Sequence, residues 1–567
     1  MKSAAHFSLL TLLLIILTAI MLTPRTFFAS DTGLRMIQID SYLTQNQWTS
    51  AAIEYPNEQF DPDYQHIPYY VAYLLHNDAL YFNISPLFPL ITAVFLAAFG
   101  WYGMIAPLII GAIMIGYGVY VLVKNFEIEK PFLWVWLSVF GTPVAFYTVQ
   151  IWDHSLAVGF TTLGVAFTAV SLKTFNVRKM MLGGCLIALT FMQRPEAIPF
   201  AIGTGLALGL THYRSVKKLW PFLVGGFVGT AVSAAVNLVW QGTLLGFPFG
   251  SNLFKIGVPS FYPAMEFIRS TRPPSTEAIK MGRLLFHINA RDPLTFSAAL
   301  LTLVAILLIF FAFRVPKYQK TKVLWVGLGC LGVAYGLLIF VSAQQPVLGL
   351  VSTAPFLPLS LAFVNQAEHN KLNLKQGSSP HQIYSFVFAS VLFFILIMLL
   401  AWPAFGGRQW GARYLLPAYP LFVFLAGYSV THFRLRSKRP FSQVVQKVTV
   451  GIVIISFIFQ SAGLILLYRK LTFDKSFQTS IQALEADVIF TDEPFLHATV
   501  GPIEGKQFFF VADTDQLNQL IPVVFDKNIE QIGVLAREPG SLTVPENLSE
   551  IQIAPSGAVT YKLSPIE

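Results

Sequence analysis

The sequence predicts an all-α polytopic membrane protein of about 13 transmembrane helices with a small C-terminal α/β extracytoplasmic domain. Three observations predict it. Of the 567 residues 54% are hydrophobic and only 12% are charged, with a mean hydropathy of +0.60, whereas soluble proteins carry roughly 25% charged residues. Apolar runs of membrane-crossing length recur as far as residue 468, and basic residues collect at alternate ends of them, as they do at cytoplasmic ends. From 469 onward the composition is that of an ordinary soluble protein.

The first run, 7–22, lies between Lys2 and Arg25 and reads as an anchor entering from the cytoplasm. Phe28-Ala29-Ser30 also fits a small-residue cleavage site, and the topology is the same either way. The loop that follows, 24–103, is polar, acidic and aromatic and far longer than a connection needs. Within it, 84–100 is apolar but opened by Pro86 and Pro89 and closed by Gly100-Trp101-Tyr102-Gly103, the pattern of a helix at the interface. Run 104–123 then leads in to Lys124 and Lys130, and 131–149 leads out to Trp152-Asp153-His154. Run 155–172 returns to Lys173, Arg178 and Lys179; 181–193 leads out to Arg194-Pro195-Glu196, and 197–210 returns to Arg214, Lys217 and Lys218.

Run 221–240 exits into a second long loop, 241–293, where Lys255, Arg269, Arg272, Arg283 and Arg291 break the basic-inside pattern. Runs 294–313, 323–343, 347–364, 384–402, 414–430 and 448–467 complete the tally. Beyond them, β-rich runs 487–490, 508–511 and 532–535 alternate with helical patterns such as 516–525, which predicts α/β structure. The expected organisation is therefore a membrane domain over 1–468, including the first extracytoplasmic loop 24–103, and an extracytoplasmic α/β domain over 469–567. The chain is expected to be a multi-pass protein of the cell membrane with a cytoplasmic N-terminus.

The net charge of +9 does not indicate nucleic-acid binding, because the basic residues sit in short clusters between apolar runs, where they orient helices. Cys185 and Cys330 lie in separate apolar runs and suggest neither a disulfide framework nor a thiolate metal site. The sequence has no Gly-rich phosphate cradle of the nucleotide-binding kind.

Carboxylates in membrane proteins persist where they face a cavity or a partner. Here they cluster at the extracytoplasmic ends of runs: Asp31 after the first, Asp153 with His154 after the third, Arg194 with Glu196 after the fifth, and Arg408 and Arg413 around the turn before the twelfth. Such an inventory suits an active site. A carboxylate at the membrane face is suited to general-base work, and guanidiniums suit a phosphate leaving group. Each also has a plainer role. Asp31 within Ser30-Asp31-Thr32 is good capping chemistry for a helix beginning near Gly33, and Asp153 can satisfy free N–H groups at a helix start. The arginines can anchor lipid headgroups. His66 with Asp61 and Asp63 forms a weak metal-like cluster, for which surface-loop chemistry is the better reading.

The Asp after the first span, the long loop with interfacial helices, a second acidic motif after the third span and an external C-terminal domain together resemble the GT-C superfamily. Its members are polyprenyl-phosphate-sugar-dependent membrane glycosyltransferases, among them protein O-mannosyltransferases, aminoarabinose transferases and oligosaccharyltransferases. Trp152-Asp153-His154-Ser155-Leu156-Ala157, Arg194-Pro195-Glu196-Ala197 and Gly411-Ala412-Arg413-Tyr414-Leu415-Leu416-Pro417 look like strings of bacterial members. Many relatives pair the first-loop Asp with an adjacent acid, and here Thr32 follows Asp31.

The resemblance implies an inverting hexosyl- or pentosyltransferase that moves a sugar from a polyprenyl-phosphate donor to a lipid, glycan or protein acceptor. It implies Asp31 and Asp153 as the catalytic carboxylates. His154, Arg194, Glu196, Arg408 and Arg413 are then the residues for substrate and donor phosphate. Some relatives hold a divalent metal at the position of Asp153 and others use none, so the cofactor is left open. Two alternatives are a transporter or flippase of lipid-linked precursors, which would want mid-membrane ionisable groups and half-chain symmetry, and a non-catalytic envelope assembly subunit.

Overall fold

The computed structural model describes residues 2–44, 48–55, 57–68, 73–77, 79–212, 219–247, 282, 284–286, 292–314, 321–343, 347, 349–361, 379–401, 410–436, 439–493, 496–501, 503–527, 529–536, 541–543, 548–553 and 559–563. The chain begins with α1 (Lys2–Leu22) and α2 (Ser30–Thr44), then β1 (Ala52–Ile53), β2 (Tyr73–His76) and β3 (Ala79–Phe82). Next come α3 (Leu87–Phe99), α4 (Ile105–Asn125), α5 (Pro131–Phe140), α6 (Val144–Thr148), α7 (His154–Thr174), α8 (Val177–Leu189), α9 (Ala197–Thr211) and α10 (Trp220–Gln241). After the second long loop follow α11 (Pro293–Arg314), α12 (Thr321–Ser342), α13 (Leu350–Thr353), α14 (Leu357–Leu361), α15 (Pro380–Ala401), α16 (Ala418–Arg436) and α17 (Arg439–Gln482). The last part holds β4 (Val488–Thr491), α18 (Leu496–Val500), β5 (Gln507–Phe510), α19 (Thr514–Phe525), β6 (Gln531–Leu535), β7 (Leu548–Ile553) and β8 (Val559–Leu563).

Among the described residues, 8 helices are long and apolar enough to cross a membrane, and the chain is a multi-pass membrane protein. Among the described residues the other apolar runs also contain helix, several of them in shorter or broken pieces. Run 131–149 divides into α5 and α6 at Gly141-Thr142-Pro143, and run 347–364 divides into α13 and α14 at Ala354-Pro355-Phe356. Both breaks coincide with proline, which cannot donate to the helix ladder. At the other extreme, α17 runs for 44 residues straight through the domain boundary expected at 468. Nothing in 468–482 breaks it, and Lys470 pairs with Asp474 one turn on.

The helices approach through small residues, since apolar chains gain little from leaving lipid and association relies on close packing. A Cβ on Gly111 of α4 would stand 2.2 Å from the Ser155 carbonyl carbon of α7, and one on Gly225 of α10 would stand 1.8 Å from the Met181 oxygen of α8. Gly111→Val should therefore force α4 from α7. The expected result is a lower unfolding temperature in detergent, by a few degrees or more.

The described residues of the first loop are folded. Its strands form a three-stranded antiparallel sheet in the order β1-β3-β2, over a small core of Leu34, Ile37, Tyr55, Ile67, Leu80 and Phe82. The last part of the chain folds as a five-stranded mixed sheet in the order β5-β4-β6-β8-β7, with α19 capped by Asp513, which accepts from the Gln516 N–H at 2.9 Å. The two units share packing, because Phe60 of the loop enters the core formed by Phe490, Phe509, Leu517 and Ile521. Asn57 Nδ2 donates to the Phe508 carbonyl at 2.7 Å, and the Phe510 N–H donates to the His66 carbonyl at 2.9 Å. His66 Nδ1 also lies 3.1 Å from the Phe510 carbonyl, while Asp61 accepts from the Tyr55 hydroxyl and from the N–H groups of Gln65 and His66. Asp61 and His66 thus organise the docked loop.

Candidate active site

Asp31, Asp153, Arg194, Glu196 and Arg413 all lie where the chain enters or leaves a helix at one end of the bundle, and the fold brings them together. Asp31 is in the first turn of α2. That turn is closed by Thr32, whose hydroxyl donates to the Ala29 carbonyl at 2.6 Å and accepts from the Ala29 N–H at 3.2 Å. Among the described residues the Asp31 carboxylate bonds Arg413 Nη1, at 2.6 Å, and not its own helix end. The capping expectation is corrected accordingly: Thr32 does that work and leaves Asp31 free to face its partner.

Asp153 immediately precedes α7, and its side chain makes no cap bond either. It is fully buried, with Oδ2 accepting from Arg35 Nη2 at 2.8 Å and Oδ1 lying 3.3 Å from Arg194 Nη1. Arg35 lies one helical turn after Asp31 and reaches back to the Asp31 carbonyl with Nη1 at 2.6 Å. It therefore ties the backbone of one acid to the side chain of the other. Arg194 Nε donates to Glu196 Oε1 at 2.8 Å, and the same oxygen lies 4.0 Å from His154 Nδ1. Glu196 thus holds Arg194 and faces His154.

Arg413 is aimed by its turn. Gly411 holds φ +78°, and a Cβ there would meet Pro143 at 2.6 Å. The turn is bonded at Gly411 N to the Val347 carbonyl (2.8 Å) and at Ala412 N to the Tyr419 hydroxyl (3.3 Å). Trp410 Nε1 donates to Gln460 Oε1 at 2.8 Å, and Gln460 Nε2 donates to the Thr353 carbonyl at 3.0 Å. This network crosses three helices and fixes the guanidinium against aromatic rings, with Cζ 5.3 Å from the Trp152 ring and 4.9 Å from the Tyr414 ring. Beside it Tyr147, Trp152 and His154 pack ring to ring, with centroids 4.7–5.3 Å apart.

Three guanidiniums thus face three carboxylates in a largely buried setting. Burial alone would raise the Asp31 carboxyl, but Arg413, Arg35 and Arg194, with the hydrogen bond from Arg413, outweigh it and hold the group below its ordinary value. Burial pulls Arg194 down, and Glu196 and Asp153 more than restore it. For Arg413 burial is likewise outweighed, by Tyr414 and Asp31. Both stay positive. Removing one member of such a set strands a charge, at a cost of about 3–5 kcal/mol for a buried pair. Asp153→Ala, which removes the carboxylate paired with Arg35 and leaves Arg194 with Glu196 alone, should accordingly lower the unfolding temperature clearly in a detergent melt, and Asp31→Ala should do so far less, because the Asp31 side chain is 33% exposed.

Several buried polar atoms around this cluster have no hydrogen-bond partner among the described residues: Arg35 Nε, Tyr147 Oη, Trp152 Nε1, His154 Nε2, Glu196 Oε2, Arg413 Nε and both side-chain polar atoms of Gln193. Buried polar groups are normally satisfied, so this set points to a polar ligand or water as a natural occupant of the site. A divalent metal does not fit at Asp153. Both oxygens of that carboxylate face guanidiniums, and among the described residues no three His, Cys, Asp or Glu side chains come together as a ligand set.

Arg35, Tyr147, Tyr414 and Gln193 escaped sequence reasoning. The signal for Arg35 was its spacing of four from Asp31, which places both on one helix face once the loop is known to be helical. Arg408 and the second-loop residues Lys255, Arg269, Arg272, Arg283 and Arg291 lie outside the described residues.

No protein-family model and no curated protein sequence matches the chain. Solved structures of similar overall form exist. ArnT from Cupriavidus metallidurans in the apo state gives a TM-score of 0.49 at 10% identity, covering 99% of this chain and 98% of that one. The oligosaccharyltransferase of Archaeoglobus fulgidus in the apo form gives 0.47 at 10% identity, covering 92% and 69%. The arabinofuranosyltransferase AftD from Mycobacteria gives 0.45 at 10% identity, covering 99% and 40%. At these identities and scores no residue role is taken from them.

Proposed function

We propose that the chain is a GT-C-type glycosyltransferase that moves a sugar from a polyprenyl-phosphate carrier to a lipid, glycan or protein acceptor at the extracytoplasmic face of the cell membrane. The observation that carries this reading is the pair Asp31–Arg413, a partly exposed carboxylate against a buried, aromatic-backed guanidinium, set beside an Asp153 already neutralised by two arginines. The acid can serve an acceptor hydroxyl, and the guanidinium can serve a phosphate. The topology that goes with it has about 13 crossings, a cytoplasmic N-terminus and an extracytoplasmic α/β domain over 469–567 docked on the first loop.

In this mechanism the donor phosphate competes with Asp31 for Arg413, which frees the carboxylate. Asp31 accepts the proton of the acceptor hydroxyl as its oxygen bonds the anomeric carbon. The bond from that carbon to the phosphate oxygen breaks, and Arg413 with Arg194 receives the charge that develops on the phosphate. Asp153 is fully buried between two guanidiniums and serves as a positioning residue rather than a nucleophile. With Asp31 acting as base toward the acceptor, and no second accessible carboxylate beside it among the described residues, the displacement is a single one that inverts the anomeric centre. His154, held toward Glu196, lines the same space with Tyr147 and Trp152 and contacts the bound donor through its free Nε2.

Linkage analysis of envelope glycans checks the reading in the cell. A deletion strain should lack one glycosidic linkage, restored by the wild-type chain and not by Asp31→Asn. An unchanged glycan profile in the deletion strain would contradict it.

A further inference from the structure

A second cleft, of about 240 Å³, lies on the other side of α2, lined by Arg25, Phe27, Met36, Asp40, Trp101, Lys475, Gln478, Gln482, Ile503 and Glu504. Its walls come from five parts of the chain: the turn after α1, helix α2, the turn between α3 and α4 that carries Trp101, the extension of α17 past its apolar part, and the turn before β5. At about 100° per residue Asp40 sits about 180° round α2 from Asp31 and about 14 Å along it, so this cleft and the candidate active site are separate spaces that share one helix.

Its charged groups are set around the opening without neutralising one another. Among the described residues the side chains of Arg25, Asp40, Gln482 and Glu504 make no hydrogen bond or ion pair. Lys475 bonds the neutral Gln478 at 2.9 Å, although two carboxylates line the same cleft. Arg25 takes a left-handed φ of 56° and stands 5.3 Å over the Trp101 ring, whose Nε1 donates to the Leu22 carbonyl at 2.9 Å. Burial pushes the Asp40 carboxyl above its ordinary value, as expected for an acid with no counter-charge.

Two cations and two anions leave the cleft without net charge, so neither an anionic headgroup nor a polycation matches it. What does match is a neutral polyhydroxylated ligand, because sugar hydroxyls both donate and accept and so use carboxylates, amides and guanidiniums together. Trp101, Phe27 and Met36 supply the apolar surface that the C–H faces of a sugar ring need. The volume falls just short of the roughly 300–1,000 Å³ of drug-sized sites, which suits one residue of a longer chain. We infer that this cleft is a saccharide-binding site that holds a glycan portion of the acceptor away from the reacting hydroxyl. Its assignment to an acceptor rests on the glycosyltransferase reading, whereas saccharide binding does not.

Equilibrium dialysis of the purified full-length protein tests it, against an oligosaccharide fraction released from the host envelope by mild acid and, in parallel, against glycerol 3-phosphate as a lipid-headgroup probe. The expected result is retention of saccharide that weakens about tenfold or more in Asp40→Asn/Glu504→Gln and in the exposed-rim variant Glu504→Gln/Gln482→Ala. Asp31→Asn should retain it fully. No saccharide retained, retention indifferent to these variants, retention lost in Asp31→Asn, or glycerol 3-phosphate held through Arg25 would each overturn the inference. Saccharide binding without any transfer activity would instead count against the proposed reaction and leave the site standing.

Discussion

Asp31→Asn is expected to lower turnover of a polyprenyl-phosphate sugar by about 10²–10⁴-fold, the usual worth of a positioned general base. The amide oxygen can still accept from Arg413, so the turn at Gly411 and the start of α2 should keep their places, and the melting temperature should stay near that of the wild type. Loss of rate without loss of fold separates a chemical role from a structural one. Steady-state kinetics in detergent micelles gives the answer. Unchanged turnover in this variant would remove Asp31 from the mechanism.

Arg413→Gln should be nearly as damaging, by about 10²-fold or more, since it removes charge from the place where the leaving phosphate develops its own. It should also change the pH profile. In the wild type, burial raises the Asp31 carboxyl but the guanidiniums of Arg413, Arg35 and Arg194 hold it below its ordinary value. The acid limb of kcat/KM, which reports the free enzyme, should therefore not appear between about pH 7 and about pH 5. With Arg413 gone the burial remains while its largest opponent is lost, so that limb should move up toward neutrality. Stability follows the same sign. A depressed carboxyl contributes stability that is fully present above the unfolded value of about 3.9 and is lost as pH falls toward the folded one. A variant whose acid limb coincides with that of the wild type would show that Asp31 does not set it.

The residues of the site were legible because membrane energetics make charge at a span end informative. Asp31, Asp153, Arg194 and Arg413 each stood out against apolar sequence, and each lies in the cluster. Arg35 did not stand out, because it sits in a loop already polar, where only the three-dimensional fact of helix α2 turns a spacing of four into a shared face. The role of Asp153 was legible only in part. The sequence shows an acid at a helix start, but which of backbone, metal or guanidinium it faces depends on Arg35 and Arg194, residues far from it in the chain.

The helical runs were legible for the reason that makes hydropathy work at all: backbone in lipid must satisfy itself. The interruptions at Gly141–Pro143 and near Pro355 were signalled by residue type, but runs of about 18 residues read as single spans when their prolines are set aside. The continuity of α17 past 468 was hidden because a fall in hydropathy marks the end of the membrane and not the end of the helix. Docking of the first loop on the C-terminal sheet through Asn57, Phe60 and His66 left no local trace in sequence, since it consists of single polar side chains reaching backbone carbonyls, a backbone bond and one inserted ring.

The most direct test of the central claim is to supply proteoliposomes with radiolabelled polyprenyl-phosphate sugar and envelope acceptor, and to follow both label and carrier. The account predicts label in a new glycosidic bond, release of unlabelled polyprenyl phosphate, and loss of both when Asp31→Asn or Arg413→Gln replaces the wild type. Passage of the intact labelled carrier across the bilayer with no bond broken would contradict it and identify the chain as a transporter.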